Sequence, residues 1–286
     1  MSQGEQVAVV TGSSSGIGYE TSLTLARNGF HTYATMRKVD GGGAGGSKQI
    51  TDIAKNENLP LQVIQLDVNN DKSVTEAINR IANEKGRIDV VINNAGYDLM
   101  GALEETSIDE IKSQFETNFF GAVRVIEAVI PMMRKQGGGV IVNITSLGGR
   151  ISFPLNSPYH ATKFALEGLS ESIQYELEPF GIKVIVIEPG GVDSNFLKNL
   201  KMAAKTSDPL NSPYRSMQNS ISEYFKQWAQ NLTHPSEVAK VILQAVTTDN
   251  PDFRYVVGKD AAMALESRRN MSDREFQNLI KKQINL

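Results

Sequence analysis

Cysteine is absent from all 286 residues. That excludes disulfides, thiolate catalysis and cysteine-based zinc sites. Histidine is nearly as scarce. His31, His160 and His234 stand far apart, with no ligand spacing among them, so no metal site is expected. Neither sign of charge is in excess: 29 Lys and Arg against 32 Asp and Glu leave a net charge of −3. This gives no electrostatic case for nucleic acid or an anionic membrane. No apolar run approaches the ~20 residues of a membrane span. The nearest, AVRVIEAVIPMM, carries charges and Pro131. The opening MSQGEQVAVVTG enters a strand with neither a basic segment nor a long apolar stretch ahead of it, so the expected location is cytoplasmic.

What is present alternates. Short β-branched runs at 6–11, 31–36, 61–66, 89–93, 139–145, 183–188 and 253–257 read as strands. Stretches of helical period follow at about 17–28, 48–57, 71–85, 107–135, 157–180, 235–247 and 260–268. Asn28-Gly29 stops the first helix, and Pro131 should kink or shorten the 107–135 helix. Repeated βα units imply a parallel sheet with right-handed crossovers. The early strands are almost wholly apolar and should be covered on both faces. Two segments depart from the pattern. GGGAGGS at 41–47 should be flexible, and 195–234 is a long insertion suited to a substrate lid.

VVTGSSSGIGYE places Gly12, Gly16 and Gly18 just after the first strand and at the opening of the first helix. Glycines there let backbone approach a pyrophosphate, and a helix N-terminus offers free N–H groups and positive dipole. Ser14, Ser15 and Ile17 belong to the same cradle. At the end of the second strand, where an acidic residue would select NAD, stands Met36, followed by Arg37 and Lys38. Arg37 can grip a 2′-phosphate bidentately, which favours NADP(H), with NAD(H) the alternative.

The remaining motifs fall in order: LDV at 66–68, NNAG at 93–96, Asn118, Ser146, YHATK at 159–163 and PGGVDS at 189–194. With TGSSSGIG, this ordered set resembles the short-chain dehydrogenase/reductase family over about residues 5–195. YATMR, SLGGRISFPLNSPYHATKFALEGLSES and LEPFGIKV are most similar to the branch containing 17β-hydroxysteroid and retinol dehydrogenases. The resemblance implies one α/β domain over 1–286. Its fold would be Rossmann-type and doubly wound, a seven-stranded parallel sheet with helices on both faces. It implies a nicotinamide cofactor and a tetrad of Asn118, Ser146, Tyr159 and Lys163. Asp67 and Val68 would hold the adenine, and Asn94, Ala95 and Gly96 would line the cofactor ribose. Pro189, Gly190 and Val192 would flank the nicotinamide, with Ser194 on its carboxamide where the family usually has Thr. Asn118 would help hold a water that relays protons to Lys163. A homodimer or homotetramer through the helices at 107–135 and 157–180 is also implied.

The chemistry fits those residue types. Hydride transfer to a ketone leaves an alkoxide that needs a proton, and the reverse reaction needs a base. Bringing a tyrosine from about 10 to about 7 takes roughly 4 kcal/mol. One ammonium about 4 Å away at an effective dielectric near 20 supplies that much. Tyr159 and Lys163 are i and i+4 on one helix and share a face. His160 lies about 100° round the helix and is expected to pack, face solvent or meet another subunit. Leu99, Met100, the segment Leu147 to Phe153, and Phe196, Leu197, Met202, Tyr214, Met217, Tyr224 and Trp228 form an apolar candidate lining. The expected reaction interconverts a hydrophobic ketone or aldehyde and its alcohol. Arg150 and Lys201 keep an acyl thioester open as substrate, and a silent NADP-binding sensor or scaffold is the rival from another class.

Overall fold

The computed structural model describes residues 6–40, 45–194, 200–207 and 212–286. The first half alternates β1 (Val7–Val10), α1 (Gly16–Arg27), β2 (His31–Met36), α2 (Gly45–Asn56), β3 (Leu61–Gln65), α3 (Asp71–Lys85) and β4 (Val90–Asn93). After the two-residue strand β5 (Leu99–Met100) come α4 (Ile108–Phe115), α5 (Gly121–Gln136), β6 (Gly139–Ile144), α6 (Ser157–Leu177) and β7 (Ile182–Pro189). The chain continues through β8 (Lys201–Met202), α7 (Arg215–Trp228), α8 (Pro235–Thr247), β9 (Arg254–Val257), α9 (Lys259–Asn270) and α10 (Asp273–Gln283).

Seven strands form one parallel sheet in the order β3-β2-β1-β4-β6-β7-β9. The chain reverses direction of travel between β1 and β4, and ligands of such sheets bind in the crevice at that point. One face is buried under Val74, Ile78 and Ile81 of α3, Val125 and Met133 of α5, and Ile173 of α6. The other is buried under Leu25 of α1 and Val238 and Ile242 of α8. Each such side chain contributes about 1.5–3 kcal/mol on leaving water. Covering both faces explains why the early strands carry almost no polar residues.

Helix ends follow local chemistry. Asn70 accepts the Ser73 N–H at 2.9 Å to start α3, and Gly86 ends it in the left-handed region. Ser107 and Glu110 form a capping box at α4.

Two expectations are corrected, those on Pro131 and on GGGAGGS. Pro131 does not shorten its helix, which runs through it to Gln136 with the proline ring on the exposed face. The helical pattern breaks earlier, in a π turn over Glu116–Phe120. Within GGGAGGS, Gly45 to Ser47 are helical and Ser47 is buried, while 41–44 lie outside the described residues. In the 195–234 insertion, α7 forms and Ile221 is buried; Phe196 and Leu197 lie outside the described residues. Helix α10 was not anticipated. It closes a third apolar cluster in which Phe276 and Ile280 meet Met100, Leu147, Leu155 and Ile221. Among the described residues no helix is long and apolar enough to cross a membrane.

Candidate active site

The carboxyl ends of β1, β4, β6 and β7 open into one cavity of about 2010 Å³. Its walls include Gly12, Ser14, Ser15, Gly16, Ile17, Arg37 and Val68 on one side, and Asn94, Ala95, Gly96, Pro189, Gly190, Val192 and Ser194 around them. Ser146, Tyr159 and Lys163 stand in the same wall. Gly18, Asp67 and Asn118 do not line it.

Two glycines set the shape of the first loop. Gly12 has φ +69°, and a Cβ there would stand 2.9 Å from the Ala95 Cα. Gly18 lets α1 press onto the loop, since a Cβ would come within 2.4 Å of the Asn94 amide nitrogen. The Asn94 amide is spent locally, donating to the Thr11 and Gly12 carbonyls, and the Thr11 hydroxyl accepts the N–H groups of Asn94 and Ala95. Ser15 makes no side-chain cap on α1, so the first-turn N–H groups remain for a ligand. A cradle that excludes Cβ atoms and an uncapped helix start fit a dinucleotide pyrophosphate. Arg37 is exposed at the mouth and makes no ion pair among the described residues. Asp67 uses one carboxylate oxygen to accept the Asn69 N–H at 3.0 Å.

At the floor, Ser146 sits just past β6 and accepts the Gly148 N–H at 2.9 Å. It also hydrogen bonds with the Tyr159 hydroxyl. The Lys163 Nζ lies 5.8 Å from the Tyr159 ring centre and donates to the Ile144 carbonyl at 2.9 Å. Burial pushes the Tyr159 hydroxyl well above its ordinary value, and the nearby Asp98 carboxylate adds to the rise, while Ser146 opposes it. Burial lowers Lys163 to about 8. The downward pull expected from Lys163 is not among the effects on Tyr159, where burial and the Asp98 carboxylate dominate.

Asn118 lies in the π turn, a helical irregularity common at functional sites. Its amide accepts the Tyr97 N–H at 3.0 Å and donates to the Tyr97 carbonyl at 2.8 Å and to Thr162 at 3.2 Å. It fixes the turn after NNAG. His160 is buried, with Phe153 N–H donating to Nε2 at 2.9 Å and Nδ1 set 2.8 Å from the Gly148 carbonyl. The network assigns the proton to Nδ1, and burial lowers the ring's affinity for a second proton. His160 thus pins the loop that follows Ser146.

The apolar wall is formed by Met100, Leu147, Phe153, Tyr224, Trp228 and Phe276, among others. Tyr214 and Met217 pack behind it. Arg150 is committed to the buried Glu188 at 2.8 Å, away from the cavity, and Lys201 covers the Tyr97 ring at 4.3 Å. Sequence reasoning missed Asp98 and Asn156, both buried in the wall, and the contribution of α9 and α10.

The model of the short chain dehydrogenase family matches residues 6–205. A 3-ketodihydrosphingosine reductase of Bacteroides thetaiotaomicron is 36% identical, over 88% of each chain. Human 17-beta-hydroxysteroid dehydrogenase type 1 is 35% identical over 87% of this chain and 76% of its own. Retinol dehydrogenase 8 of Bos taurus is 36% identical over 89% and 82%. A short-chain dehydrogenase crystal structure from Streptomyces avermitilis superposes with a TM-score of 0.80 at 32% identity, covering 94% of this chain and 95% of that one. An actinorhodin polyketide ketoreductase variant solved with NADPH gives 0.74 at 26% identity, covering 90% and 97%. The chain belongs to the short-chain dehydrogenase family and is an oxidoreductase acting on the CH–OH group.

Proposed function

We propose that this chain reduces a hydrophobic ketone or aldehyde to its alcohol with NADPH, Tyr159 giving the proton. The arrangement of Ser146, Tyr159 and Lys163 beneath an apolar wall carries this reading. Bound NADPH supplies the hydride. Gly12 to Ile17 hold the pyrophosphate, Arg37 takes the 2′-phosphate, and Ser194 meets the carboxamide. The substrate oxygen rests against the hydroxyls of Ser146 and Tyr159. As the carbonyl carbon gains the hydride, Tyr159 passes its proton to the alkoxide oxygen. The Lys163 ammonium stabilises the phenolate that remains. A tyrosine kept protonated by burial has the proton that this step requires.

An NADPH-oxidation screen across steroid, retinoid, aliphatic and acyl-thioester ketones tests the substrate class. Turnover is expected with apolar ketones; activity confined to acyl thioesters overturns it. For the cofactor, Arg37→Ala should weaken NADPH about 10–100-fold and NADH less than about threefold, the range for charge-assisted hydrogen bonds. Equal loss for both, read by nicotinamide fluorescence, removes the 2′-phosphate assignment.

A further inference from the structure

Gly191 follows β7 and is gripped at each of its backbone groups. Its N–H donates to Asp260 Oδ2 at 2.7 Å, and its carbonyl accepts the Thr233 N–H at 2.8 Å. The Trp228 indole lies against its Cα, so close that a Cβ there would stand 2.3 Å from Cζ2. The same Asp260 Oδ2 accepts the Trp228 Nε1–H at 3.1 Å. One carboxylate oxygen thus joins the loop after β7 to the last residue of α7, reaching both from the first turn of α9. Hydrogen bonds to a carboxylate are stronger than neutral ones, and a helix N-terminus favours the negative charge.

The backbone is shaped to admit this carboxylate. A Cβ on Gly190 would stand 2.2 Å from Asp260 Oδ1, and one on Gly258 2.6 Å from it. The loop has other ties: the Gly190 N–H donates to the Val257 carbonyl at 2.8 Å, and the Asp193 N–H to the Thr233 carbonyl at 2.9 Å. Trp228 has one polar group, its indole N–H, and Asp260 is the acceptor. What depends most on Asp260 is therefore the placing of the indole. Gly190, Gly191, Trp228 and Asp260 all stand in the cavity wall, and the indole continues into the apolar wall through Phe225 at 5.5 Å between ring centres.

We propose that Asp260 is a positioning residue for substrate selection: it holds the Trp228 indole on the Gly190–Gly191 backbone, where the ring limits the bulk that a ketone can carry on one side of its carbonyl. The preferred substrate is then lopsided, with a slim group toward Trp228 and a longer apolar group along the rest of the wall. The place of the carbonyl, beside the loop that would flank the nicotinamide, rests on the reductase reading above. The hold on the indole does not.

Trp228 is the sole tryptophan of the chain, so indole emission of the full protein reports its position directly. In Asp260→Ala, emission should move to longer wavelength and acrylamide should quench it more strongly. Asp260→Asn keeps an oxygen that accepts both N–H groups and should keep the wild-type emission. Selectivity is read by NADPH oxidation with hexyl methyl ketone and hexyl cyclohexyl ketone, which share one arm and differ in the other. The wild type should prefer the methyl ketone by about 10–100-fold in kcat/KM, and Asp260→Ala should bring the ratio to within about threefold. A ratio is unmoved by general loss of folded protein. Trp228→Ala should relax it equally, with no further change in the double variant. Wild-type emission in an Asp260→Ala protein with a normal circular dichroism spectrum, or an unrelaxed ratio despite the emission shift, overturns the positioning role. An emission shift in a protein whose wild type turns over no ketone refutes the reductase reading and leaves the hold on the indole standing.

Discussion

Tyr159→Phe should lower kcat by about 10³-fold or more on any ketone the wild type reduces, with the NADPH dissociation constant changed less than about threefold. Phenylalanine keeps the ring, its burial and its place beside Lys163. Only the hydroxyl goes, and with it the proton donor and the partner of Ser146. General acid catalysis contributes about 10²–10⁴-fold, and water has poor access to a floor where Tyr159 is 8% exposed. Binding should survive because the pyrophosphate cradle is built from Gly12 to Ile17 and the uncapped start of α1. The two readouts separate an enzyme from a silent NADP-binding scaffold. A scaffold has no kcat to lose, and full activity in Tyr159→Phe removes Tyr159 from the mechanism. If kcat and NADPH affinity fell together, the hydroxyl would be holding cofactor rather than moving a proton.

The sheet was legible because its signals are local. VAVV, HTYATM and VVIN are apolar and β-branched, and the alternation with helical stretches dictates parallel order. The chemistry-bearing motifs were legible because each follows a strand of that sheet, so the fold gathers TGSSSGIG, NNAG, Ser146 and PGG at one edge. Helix α10 carried a readable signal, with Ser272 and Glu275 forming a capping box before Phe276 and Ile280. It was overlooked, not hidden. The π turn was hidden, because an extra residue in a helix leaves the pattern of QFETNFFGAV looking helical throughout. Pro131 misled because a proline on a solvated helix face gives up one hydrogen bond that water replaces. Asp98 and Asn156 are 58 residues apart and meet only in the folded chain. The environment of Tyr159 was illegible for a related reason. Spacing puts Lys163 one turn away, but burial, which reverses the direction of its shift, is a property of the whole fold.

Asp98→Asn should be more stable than the wild type near neutral pH, with the advantage vanishing near pH 4. Burial raises the Asp98 carboxyl from 3.8 to about 6, against smaller lowering by Asn156, the Leu99 N–H and Lys163. A carboxyl raised in the folded state keeps its full contribution to stability below the unfolded value. It loses that contribution as pH rises through the folded value, because the unfolded chain releases the proton first. Over the window from about pH 4 to about pH 6 the wild type should lose on the order of 3 kcal/mol relative to the asparagine variant. At neutral pH this corresponds to roughly 5–10 °C in melting temperature. Glu167, whose carboxyl is also raised, is common to both proteins and cancels in the difference. Lys163 titrates toward its own folded value of about 8, above this window. Urea unfolding of both proteins at pH 4, 5, 6 and 7 reads the effect. Parallel profiles would mean that Asp98 does not carry a buried charge. A diverging pair would show that the carboxylate is kept at a cost to stability beside Tyr159 and Lys163, on both of which its charge acts.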